Sequence, residues 1–199
     1  MKLYERLPDG VTVDGKFYKC DFDFRNVLEM METLDRKDLI QSAREYNALK
    51  CVMKHPRNIS KVLGAIKEVL FEKREEKEQH SERITDFDFD SAMIRSAFRQ
   101  AYGIDLYRDR LHWIEFRELL NAIPEGSRYS EVLSIRSRPI PASTKWNQEE
   151  RAWLIRAKAN VALPMTEEEK KKKYEKDVEK VFSGMMNFFF GKGGENPDG

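Results

Sequence analysis

Residues 59–70, ISKVLGAIKEVL, decide the fold class. Ile59, Val62, Leu63, Ile66, Val69 and Leu70 recur at spacings of three and four. On a helix of about 3.6 residues per turn they gather along one face, which needs a surface to bury against. Asn58, just ahead, is a residue type that caps helix starts.

The same period runs outward in both directions. Upstream, Val27, Leu28, Met31 and Leu34 form one stripe, and Leu39, Ala43, Tyr46, Leu49 and Met53 form a second that stops near His55-Pro56. Downstream, Ile94, Ala97, Phe98, Ala101 and Tyr102 are followed by Gly103, which suits the left-handed residue that closes a helix, with Ile104 as the apolar contact beyond. Trp113, Phe116, Leu120 and Ile123 form the next stripe, with Asp105 or Asp109 as its cap and Pro124-Glu125-Gly126 as its stop. Ile94, Phe98, Trp113, Phe116 and Leu120 are the expected core. A short helix from Ser127 or Ser130 turns Tyr129, Val132 and Leu133 inward, and Arg138-Pro139-Ile140-Pro141 cannot continue it, because proline lacks the N–H and crowds the preceding turn. Asn147 with Glu150 reads as a capping box for a helix carrying Trp153, Leu154, Ala157 and Val161. Thr166 with Glu169 reads as a second, for a helix carrying Tyr174, Val178, Val181, Phe182 and Met185. That helix has acids first and Lys170 to Lys173 next, the order its dipole favours.

Only the start of the chain follows another rule. Val11-Thr12-Val13, Asp14-Gly15 and Lys16-Phe17-Tyr18-Lys19-Cys20 spell a hairpin, since Asp-Gly supplies the positive φ angles of a two-residue turn. A lone hairpin is marginal in water and must pack on something. The expected fold is therefore mainly α, a multi-helix domain with a small N-terminal β-hairpin. It divides into residues 1–24 (hairpin packed on the helices), 25–163 (helical domain, with 72–85 a charged extension or linker), 164–190 (amphipathic helix and apolar cluster) and 191–199 (flexible tail).

Of the 199 residues, 36% are charged, against about 25% in ordinary domains, so the helices have strongly solvated faces. The 36 basic and 35 acidic residues nearly cancel. A net charge of +1 gives no global field for nucleic acid or an anionic membrane. Cys20 and Cys51 are too few for a disulfide framework and read as reduced thiols of a cytoplasmic protein. Met1 to Arg6 has no apolar signal core, and Met185 to Phe190 falls far short of the ~20 residues that span a bilayer. No membrane association is expected.

Residue types that carry chemistry are present without the patterns that use them. Asp86, Asp88 and Asp90 have the first three acids of a calcium loop, but Ser91 stands where the turn glycine belongs and Ala97 where the bidentate glutamate belongs. Alternating Asp and Phe there gives two buried rings and an acidic edge, with Asp90 as a helix cap. His55, His80 and His112 have no second ligand at metal spacing. No nucleophile elbow, phosphate loop, dinucleotide fingerprint or zinc-protease helix occurs. No catalytic residue, metal or cofactor is expected. Lys170 to Lys173 are flanked by Glu167 to Glu169 and by Glu175, Asp177 and Glu179, a balanced solvated face; Arg136 and Arg138 form a weaker basic patch. The partner-binding candidates are Phe182, Met185, Met186, Phe188, Phe189 and Phe190, an apolar cluster of adaptable side chains that either docks a partner helix or completes the protein's own core.

The order of these motifs resembles a known family. Val13-Asp14-Gly15-Lys16 leads to Asp23-Phe24-Arg25, then Asp90 to Phe98, Tyr102-Gly103-Ile104-Asp105-Leu106, Leu111-His112-Trp113, Phe116 to Leu120 and Ile135-Arg136. Over roughly residues 3 to 160 this is similar to the bacteriophage gene-product-fifteen family of tailed phages and prophages of Gram-positive bacteria. Its members are encoded just before the tape-measure protein. The resemblance implies a tail assembly chaperone that keeps the tape-measure chain soluble in the host cell cytoplasm, with other tail proteins and a second copy as further partners. The alternative it leaves is a minor structural component of the tail or tail tip. It implies no catalytic residues.

Overall fold

The computed structural model describes residues 4–71, 83–166, 169–171, 174–175 and 178–179. The chain opens on an antiparallel hairpin, β1 (Gly10–Val13) and β2 (Lys16–Lys19), and continues through α1 (Phe24–Asp35), α2 (Gln41–Val52), α3 (Ile59–Leu70), α4 (Ser91–Tyr102), α5 (Trp113–Asn121), α6 (Arg128–Ser137) and α7 (Gln148–Asn160). Helical residues recur at 169–171, 174–175 and 178–179. The protein is mainly α with a small N-terminal hairpin.

The hairpin forms as its sequence dictates. Asp14 and Gly15 both take positive φ, 49° and 73°, and Val13 pairs with Lys16 across the turn. Val11, Val13 and Tyr18 are buried beneath it, and β1 lies on α3. α1 packs on α2 and α2 on α3, which places Val27, Met30, Leu49, Val52, Val62 and Ile66 in one core.

The second half, α4 to α7, joins the first through α5, which packs on α1. Phe116 is the centre of the join. Its ring stacks on Phe24 at 4.6 Å and on Phe98 at 5.2 Å, and Trp113 and Phe87 flank it at 5.8 and 6.2 Å. Three helices, α1, α4 and α5, and the segment that leads into α4 thus meet on one ring, in the offset and tilted geometries aromatic quadrupoles favour. Ile94, Phe98, Trp113 and Phe116 are buried as expected, and Leu120 is partly buried against them.

Several local readings need correction. Trp153 is 51% exposed, and Leu154 is the buried residue of α7. Asn147 forms no capping box; its side chain bonds the Thr144 N–H and the Ala142 carbonyl. Asn58 precedes α3 in a left-handed conformation, and its amide donates to the Tyr18 hydroxyl at 2.9 Å instead of capping. Asp109 accepts from the N–H of Asp105, and His112 caps α5. Thr166 and Glu169 do form the reciprocal capping box, at 2.7 and 3.2 Å. Residues 72–82, Phe182, Met185, Met186, Phe188, Phe189 and Phe190, and the tail 191–199, lie outside the described residues.

Candidate functional site

Two polar joints position everything else. The first binds the approach to α1 to the approach to α5. Residues 22–24 run extended beside 111–113, with the Phe24 N–H donating to the Leu111 carbonyl at 3.0 Å and the Trp113 N–H to the Phe22 carbonyl at 2.8 Å. The Asp23 carboxylate caps α1 by accepting from the Arg25 N–H, and the Arg25 and Arg110 guanidiniums neutralise it at 3.1 and 3.3 Å. Arg25 reaches on to the Leu106 and Asp109 carbonyls. His112 Nδ1 accepts from the Ile114 N–H, so the ring proton sits on Nε2 and points at the Pro8 carbonyl, 2.9 Å away. His112 is therefore a cap and a strut, with both nitrogens committed to protein.

The second joint is a buried ion pair. Arg136 donates from Nη1 and Nη2 to the two oxygens of Asp90 at 2.6 and 3.0 Å, and from Nε to the Val161 carbonyl at 2.6 Å. Asp90 also accepts from the Asp86 N–H and the Thr85 hydroxyl. Burial pushes its carboxyl up, but the bonds from Arg136, Asp86 and Thr85 outweigh this and hold it below the usual carboxylate value. The pair clamps α4, α6 and the end of α7 together. Arg136 is thus no part of a surface patch. The acidic loop is likewise consumed by structure: Asp86 turns on the N–H groups of Asp88 and Phe89 and pairs with Arg83, and Phe89 is exposed where a buried ring was expected. Among the described residues no three His, Cys, Asp or Glu side chains surround a common cation position.

Cys20 lies buried between Pro8 and the hairpin, and Cys51 is half-buried on α2. Burial, with the negative charge of Asp9, pushes the Cys20 thiol up to about 11. It is a neutral core side chain at physiological pH. Neither joint has a nucleophile beside a base; their carboxylates, guanidiniums and imidazole face protein partners, and the buried side-chain donor without one among the described residues is the Trp113 indole N–H.

A mainly apolar cleft of about 460 Å³ lies between the C-terminal ends of α1 and α3. Met30, Met31, Leu34 and Phe71 form its floor and walls, and Asp35, Lys67 and Glu68 stand at its rim. The α1 stripe turns half its apolar side chains to the core and leaves Met31 and Leu34 for the cleft. Unbranched methionines fill irregular gaps and reshape at low cost, which suits a groove that takes variable apolar surfaces. The sequence already placed Met31 and Leu34 on an apolar face. What hid the cleft was that the face is wider than one neighbouring helix covers.

The motifs singled out in the sequence, Asp23-Phe24-Arg25, Leu111-His112-Trp113, Asp90 and Ile135-Arg136, fall on the two joints. They specify a scaffold, and their order along the chain is the signature of one fold. A model of the bacteriophage Gp15 protein family matches residues 3–163. The chain belongs to that family. No curated protein and no solved structure matches it. The matched span of this Gp15-family protein runs from before the hairpin to just past α7, so it takes in both joints and the methionine cleft.

Proposed function

We propose that this Gp15-family protein is a tail assembly chaperone that binds the tape-measure protein and keeps it soluble in the host cytoplasm until tail subunits enclose it. The observation that carries the reading is the methionine-lined cleft between α1 and α3, apolar within and charged at its rim. A tape-measure chain is a very long helix with apolar stripes, and free in water such stripes aggregate. An amphipathic helix laid along Met31 and Leu34 would lose that exposed surface, while rim charges set its register. The protein acts by binding alone, without catalysis or cofactor, and a highly charged exterior keeps the loaded complex soluble.

The test is co-expression with the tape-measure protein. Doubly substituting Met31→Glu and Leu34→Glu puts two charges into the cleft at partly exposed positions. The tape-measure protein is then expected to move from the soluble to the pelleted fraction while the variant retains its circular dichroism and melting temperature. Undiminished solubility beside a folded variant would sink the reading.

A further inference from the structure

A larger opening of about 900 Å³ lies between β2 and the segment that leaves α2. Its charge is one-sided. Lys16 and Lys19 from β2 and Lys50, Lys54 and Arg57 from the α2 side line it, and none has a carboxylate in ion-pair range among the described residues. Asp21, the carboxylate in the cleft, is neutralised by Arg110 at 2.7 Å. In a chain whose net charge is +1, this is a marked local concentration of positive charge.

The strand beside it has an unused edge. In a two-residue hairpin, pairs alternate between those that exchange hydrogen bonds and those that do not. The Cys20 N–H bonds the Asp9 carbonyl at 2.8 Å, so Tyr18 and Lys16 also face β1, whereas Phe17, Lys19 and Asp21 point their backbone groups outward. The outward Asp21 N–H is taken by the Val52 carbonyl at 2.7 Å. Those of Phe17 and Lys19 have no backbone partner among the described residues. The Phe17 ring, 53% exposed, leans across to Gly10 of β1 and leaves the outer edge of β2 uncovered.

We propose that this cleft binds an extended acidic segment of a partner protein, which adds to the Phe17–Lys19 edge of β2 as a third strand. Main-chain bonds to Phe17 and Lys19 supply its direction, and its carboxylates meet the lysines and Arg57. A second copy of β2 is disfavoured, because it would bring two sets of the same unneutralised cations into one cleft. A nucleic acid strand would use the same cations but has no N–H and C=O alternation to match the strand edge. The site is separate from the methionine cleft and does not depend on it.

Fluorescence anisotropy with the full chain tests this, using a labelled peptide of alternating Glu and Val, the same peptide with proline at alternate positions, and an oligothymidylate. The Glu-Val peptide is expected to bind saturably at physiological salt. Lys19→Glu with Lys54→Glu is expected to weaken it by about tenfold or more, with an unchanged melting temperature since both side chains are exposed. The proline peptide is expected to bind much less, because it lacks the donors a strand edge requires. No peptide binding, equal binding of the proline peptide, or tighter binding of the oligothymidylate would each overturn the proposal.

Discussion

Asp90 and Arg136 are the pair on which the second half of the molecule most depends. Removing one partner leaves a buried charge with nothing to answer it, and Asp90→Ala is expected to cost about 3–5 kcal/mol in urea denaturation. The pH dependence follows from the depressed carboxyl. The contribution is fully present above the ordinary aspartate value of about 4, and is lost as pH falls through the lower folded value. The stability gap between the native protein and Asp90→Asn is therefore expected to be widest near neutrality and to close on acidification. Cys20 carries the opposite sign: its raised thiol favours the folded chain below the ordinary value of 9.0, and that contribution disappears as pH climbs toward about 11. Thiol titration near pH 8 is expected to modify Cys51 in the folded protein and Cys20 only after denaturant is added. In sequence, Arg136 looked like half of a basic patch with Arg138, because nothing local shows that a carboxylate from another helix waits beneath it.

At the scale of elements, apolar periodicity was the legible signal. The stripes of α1, α3, α4 and α5 were readable because each meets the core along one face. α7 was misread because only Leu154 is buried, and a helix touching its neighbours along so narrow a line carries no usable stripe. Caps were harder, since capping residues have other uses: Asn58 serves Tyr18, and Asn147 ties its own loop. α5 shows why an acid did not win. The extended pairing of 111–113 with 22–24 fixes the residue before Trp113 in β conformation, and His112 stands there. His112→Ala removes both the cap and the Pro8 bond, each worth about 1 kcal/mol. A total loss of about 2 kcal/mol in urea denaturation is expected, with His112→Asn retaining the cap and roughly half of it.

Across the whole molecule, the two joints and the Phe116 cluster make a scaffold on which two clefts of different chemistry open. The methionine cleft was half visible in the sequence, as one helix face with more apolar residues than a single neighbour covers. The basic cleft was invisible, since Lys16, Lys19, Lys50, Lys54 and Arg57 are scattered along the chain and vanish into a balanced total. The candidates Phe182, Met185, Met186 and Phe188 to Phe190 follow a helix whose described apolar residues, Tyr174 and Val178, are 71% and 49% exposed. A chain lacking residues 184 to 199 is expected to melt almost unchanged in calorimetry and, on the proposed chaperone reading, to keep less tape-measure protein soluble on co-expression. A large drop in melting temperature would instead assign the cluster to the protein's own core.

The pairing of residues 22–24 with 111–113 also has a consequence in time. A ribosome delivers the hairpin and α1 to α3 first, but Phe24 has no Phe116 to stack on, and the Phe22 carbonyl has no Trp113 N–H, until α5 has left the exit tunnel. At about 5–20 residues per second, that interval of about ninety residues lasts roughly 5–18 s. Throughout it the nascent chain presents an unfinished aromatic seam, and a product released before Leu111 can never close it. Folding of this protein is tied to the progress of its own translation through the middle of the message.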